Sequence, residues 1–159
     1  PYGGANGAAF SRFDLAFPHL AQYLDPTGEN FQISAGITGS WFDPAQSGHG
    51  FSIEVLPGNV MLLYWYVFAP NGGQAWITAV GPINGNTAVL DASMTLGSGG
   101  RFPPNFNAAA VHNQPWGTIT LTFTGCTNGE ASWRPTAAGY PDGSMPITRL
   151  TQPDGLSCP

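Results

Sequence analysis

Lysine is absent from this chain, and charge of either sign is scarce. Four arginines (Arg12, Arg101, Arg134 and Arg149) stand against nine carboxylates, which leaves a net charge of −5. Charged residues make up 8% of the chain, against about 25% in an average soluble domain. A surface so poor in cations cannot neutralise a phosphate backbone, so nucleic acid is excluded as a partner. The same poverty argues against electrostatic docking on anionic membranes. No apolar run approaches the roughly 20 residues of a bilayer-spanning helix, so no membrane insertion is expected.

Catalytic and cofactor signatures are missing as well. The chain holds neither Gly-x-Ser-x-Gly nor a phosphate-cradling glycine loop. Its only histidines, His19, His49 and His112, show no His-x-His or Cys/His ligand spacing. His49, in Ser47–Gly48–His49–Gly50 and near Glu54 in sequence, is read as a turn histidine bonded to backbone rather than a metal ligand. No cofactor, metal or catalytic residue is assigned.

Cysteine is limited to Cys126 and Cys158. An even pair in a turn-rich chain is expected to form a disulfide, which implies an oxidising compartment. Closing so long a loop stabilises a fold by roughly 3–4 kcal/mol in the chain-entropy view and would pin the C-terminal segment. The alternative is a pair of buried thiols. A chain that begins at Pro1 without methionine reads as a processed form or a fragment. Together these point to a secreted, extracellular or periplasmic protein.

Glycine (22) and proline (15) are plentiful in this 159-residue chain. They fall between hydrophobic runs, as turns between short strands do. Strands are expected near 31–42, 49–56, 60–68, 74–81, 86–96, 116–124, 129–134 and 144–152, with a long loop over 97–115. This spacing, hairpin-linked and without intervening helices, predicts an all-β domain over 31–159. Its architecture is a single antiparallel up-and-down barrel or a tight sandwich of about eight strands. Ahead of it, residues 1–30 read as an N-terminal arm. Phe10, Phe13, Phe17, Leu20 and Leu24 recur there near helical spacing, and Pro18 limits them to a short helical turn or two.

Two resemblances accompany this pattern. Gly39–Ser40–Trp41–Phe42–Asp43 ahead of up-and-down hairpins resembles the Gly-x-Trp opening of calycin-type barrels, including avidin-like proteins. It implies a barrel in which Trp41 packs across one end against Arg149. The residues that hold biotin in avidin-like proteins have no counterparts here that can be placed one by one. The series 39–51, the Tyr64–Trp65–Tyr66 strand, Gly99–Gly100–Arg101–Phe102, Pro115–Trp116–Gly117 and the closing 147–158 also resemble a module of secreted bacterial proteins. That resemblance covers roughly residues 36–159. It implies export and a single module, and no chemistry.

The strand over 60–68 is apolar on both faces. Leu63, Trp65 and Val67 point one way while Tyr64, Tyr66 and Phe68 point the other. If the aliphatic sides of neighbouring strands share the core, the opposite side gathers Ser52, Glu54, Tyr64, Tyr66, Gln74, Trp76 and Asp91. Aromatic platforms beside amide and carboxylate groups suit sugar rings, whose C–H faces stack while their hydroxyls bond polar groups. The expected role is therefore non-catalytic binding of a glycan or small neutral ligand. One alternative is a self-associating module that buries these aromatics in a homo-oligomer interface; another is structural cover by residues 1–30. A third is a glycosidase that uses Glu54 and Asp91 as its carboxylate pair. Thr118, Thr120, Thr122 and Thr124 form an outward threonine row, ordinary for a half-wetted strand. Arg149, alternating with Met145 and Ile147, is expected to point inward to a carboxylate or carbonyl partner.

Overall fold

Tight turns set the strand ends, and the Pro57–Asn59 turn shows how. Gly58 (φ 83°) and Asn59 (φ 57°) both occupy the left-handed region, which glycine and asparagine tolerate best, and the next strand starts at Val60. In the computed structural model, which describes residues 30–96 and 100–158, eight strands follow one another. They are β1 (Gly39–Phe42), β2 (Gly50–Leu56), β3 (Val60–Phe68), β4 (Gln74–Asn84), β5 (Thr87–Leu96), β6 (His112–Phe123), β7 (Asn128–Pro135) and β8 (Gly143–Arg149). Each pairs antiparallel with the next, and β8 returns to β1 through Trp41↔Arg149 and Phe42↔Thr148. The sheet is a closed up-and-down barrel, not a sandwich.

Period-two alternation fills the interior. Ile53, Leu63, Ile77, Ala79, Leu90, Ile119, Leu121, Ala131 and Ile147 are all buried and come from seven strands. One end is sealed. Ile37 plugs it, and Trp41 lies beneath it with its indole N–H donating to the Ile37 carbonyl (2.9 Å) and Phe123 edge-on at 5.0 Å. The Arg149 guanidinium sits 6.0 Å from the Trp41 ring. Cys126 and Cys158 form a disulfide at this end, 32 residues apart in sequence. The C-terminal segment packs so closely that a Cβ on Gly36 would clash with the Ser157 carbonyl oxygen.

Four expectations need correction. Residues 31–38 are not strand: the Ile33 N–H bonds to the Gly85 carbonyl, and a 3-10 turn spans Ala35–Ile37. Ser34 drives that turn, its hydroxyl accepting from the Gly36 N–H and competing with sheet pairing. β6 begins at His112 rather than 116, despite Pro115. A bulge explains it: Ala92 pairs with Gly117 and Ser93 with Pro115, which leaves Trp116 as the extra residue and spares Pro115 a ladder bond. β4 runs three residues further than expected, to Asn84. β8 ends at Arg149 rather than 152, where Leu150 and Thr151 both turn their N–H groups to the Ser40 carbonyl. The expected helical arm lies in residues 1–29, outside the described residues.

Candidate functional site on the outer wall

The ladder registers carry the seven candidate residues to one wall. Ser52 stands beside Tyr64, Tyr64 beside Thr78, and Thr78 beside Ser93. One row toward the open end, Tyr66 and Trp76 are direct cross-strand neighbours, and beyond them Phe68 faces Gln74. One row toward the sealed end run Glu54, Leu62, Val80 and Asp91. Their inward neighbours on the same strands (Ile53, Leu63, Trp65, Ile77) are buried, so strand parity alone turns these seven outward.

The aromatics are open to solvent: Tyr64 is 37% exposed, Tyr66 53%, Phe68 54% and Trp76 62%. Cross-strand neighbours on one face stand about 5 Å apart at Cβ, so Tyr66 and Trp76 form a continuous platform on β3 and β4. Glu54 and Asp91 share the wall at the two ends of one row. Three inter-strand steps of about 4.8 Å separate them, about 14 Å along the wall. A glycosidase pair needs about 5–9.5 Å. Ser52 and Glu54 also border a shallow groove of about 370 Å³ closed on its other side by Pro153 and Leu156.

Several exposed or clustered residues lie outside the seven candidates. Phe68, Val80 and Val89 are half exposed and extend the apolar wall; the parity that selected Tyr64 and Tyr66 also selects Phe68. Phe102 (91% exposed) and Phe106 protrude from the loop between β5 and β6, where no periodicity marks them. At the end opposite the disulfide, Trp65 gathers Phe51, Trp116 and Trp133 at ring distances of 5.0–5.8 Å. Tyr140 stands edge-on to Trp116 and donates to the Met94 sulfur (3.1 Å). The Trp116 indole Nε1 is buried there without a hydrogen-bond partner among the described residues. Only the bulge aims Trp116 inward, and sequence parity cannot show a bulge.

Among the described residues His49 bonds a side chain rather than the backbone expected of it. Its Nδ1 accepts from the Trp65 indole N–H (3.3 Å). Among the described residues no group of three His, Cys, Asp or Glu side chains is placed to hold a metal. Arg149 does point inward and finds carbonyl partners: Nη2 donates to Thr38 (2.7 Å) and Gly36, Nε to Thr151 (3.0 Å) and Nη1 to Cys126 (3.5 Å). Partial burial lowers its pKa from the ordinary arginine value. It is a structural clamp.

No protein-family model, curated protein or solved structure matches the chain. The wall has to be read from its own chemistry.

Proposed function

We propose that this domain is a non-catalytic, extracellular binding module whose outer wall, built on Tyr64, Tyr66 and Trp76, holds a glycan. One observation carries the reading: large aromatics lie open on a strand whose other face is already filled by core. Soluble domains seldom leave a contiguous apolar patch without a partner. Sugar rings fit because their C–H faces stack on Tyr and Trp, while Ser52, Gln74 and Thr78 offer hydroxyl and amide groups beside the platform. The wall is convex and continuous, which suits an extended chain more than a small molecule needing enclosure.

Self-association is the second reading, favoured by the exposed Val80 and Val89 that prolong the apolar wall toward β5. Size and substitution separate the two. A monomer in light scattering whose binding to a glycan array disappears in Trp76→Ala supports the module. A stable oligomer that dissociates in Tyr66→Ala, with no glycan bound, replaces it with an interface.

A further inference from the structure

The same wall carries a charge pattern that narrows the ligand. On the outward faces of β2–β5 the side chains that carry charge at neutral pH are Glu54 and Asp91, and they stand at the two ends of one row. Neither makes a hydrogen bond or ion pair among the described residues. No arginine shares those four strands. Arg149 is occupied by carbonyls at the sealed end, Arg134 lies on β7, two strands beyond Asp91, and Arg101 is on the β5–β6 loop. The platform between and above the two carboxylates is aromatic.

Resting on the glycan reading of this wall, we propose that its ligand is a polysaccharide bearing protonated amines, of the glucosamine type, rather than a neutral or acidic one. Three features agree. The negative faces of Trp76, Tyr66 and Tyr64 attract a cation laid on them, Trp most strongly. Two unpaired carboxylates about 14 Å apart along the wall match the repeated, spaced positive charges of a polymer better than a single cation. A chain of net charge −5 repels acidic polymers and draws cationic ones toward it before contact. Glu54 and Asp91 thus gain a role that catalysis, at their separation, does not give them.

Calorimetric titration of the whole chain with oligoglucosamine, its fully N-acetylated counterpart and an oligogalacturonate of the same length tests this. Oligoglucosamine is expected to bind most tightly, to weaken as salt rises, and to lose about two- to fivefold in affinity for each of Glu54→Gln and Asp91→Asn. The N-acetylated chain should be indifferent to both substitutions. If both glucosamine chains bind equally and the amide variants change nothing, the charge inference fails while the aromatic platform stands. Preference for oligogalacturonate overturns the inference too. If none of the three binds, or binding survives Trp76→Ala, the glycan reading itself falls. Both carboxylates face solvent, so unchanged circular dichroism suffices to show that the variants fold.

Discussion

Asp43, at the end of β1, shows how one side chain shapes the strand that carries the platform's neighbours. One of its carboxylate oxygens accepts from the Ala45 N–H (2.9 Å) and starts the 3-10 turn Pro44–Gln46; the other accepts from the Gln46 amide (2.8 Å). These bonds, that of Gln46 first, hold its pKa below the ordinary 3.8, outweighing a smaller opposing effect of burial. A carboxylate with a lowered folded pKa adds stability that is fully present above its ordinary value and disappears as pH falls through the lowered one. Thermal unfolding followed from neutral pH into acid should therefore show a shallower acid loss in Asp43→Asn than in the parent. Identical acid limbs would show that the turn does not depend on the ionised form. Asp43 was legible only as part of a motif; its partner Gln46 needed the turn geometry.

The strand β3 was almost entirely legible. Nine residues between two glycine-bearing turns fix its ends, and strict alternation fixes which side chains share a face. Parity makes a sharp contrast between neighbours. Trp76→Ala removes an exposed ring and should shift stability by less than about 0.5 kcal/mol. Trp65→Ala empties a position that is 5% exposed and packs four rings, and should cost about 3–5 kcal/mol. Urea unfolding of the two variants measures both. Equal costs would mean that Trp76 is core and the outer wall is misassigned. β6 was legible in part, because alternation from Thr118 to Phe123 is regular, whereas its start is displaced by the bulge at Trp116. A bulge shifts parity by one residue and leaves no mark in composition. The segment 31–38 misled because Phe31, Ile33 and Ile37 alternate like a strand while Ser34 and Gly36 favour a turn.

At the scale of the molecule, closure depends on the shortest ladder, β1 with β8, which pairs two residues and is reinforced by Arg149. One guanidinium there ties the carbonyls of Gly36, Thr38, Cys126 and Thr151, from the segments before β1 and after β8 and from the β6–β7 connection. Arg149→Met keeps the volume and strands those carbonyls, for an expected loss on the order of 2–3 kcal/mol. Arg149→Lys should recover little of it, since one ammonium cannot span the fork. Full recovery by lysine in chemical denaturation would reduce the clamp to simple charge. Eight strands, hairpin connectivity and the cysteine pairing were readable from local signals. The aromatic cluster at the end opposite the disulfide was not, because Phe51, Trp65, Trp116, Trp133 and Tyr140 meet only once the barrel wraps.

The five tryptophans have divided themselves unevenly. Trp41, Trp65 and Trp116 are nearly dry, Trp133 is half covered, and Trp76 alone stands out on the wall. The emission spectrum must therefore split into a blue, shielded majority and a red component from Trp76 that small aqueous quenchers reach first. Ligand settling on the platform would hide that component and leave the rest untouched, so the protein reports occupancy of its own surface without any label.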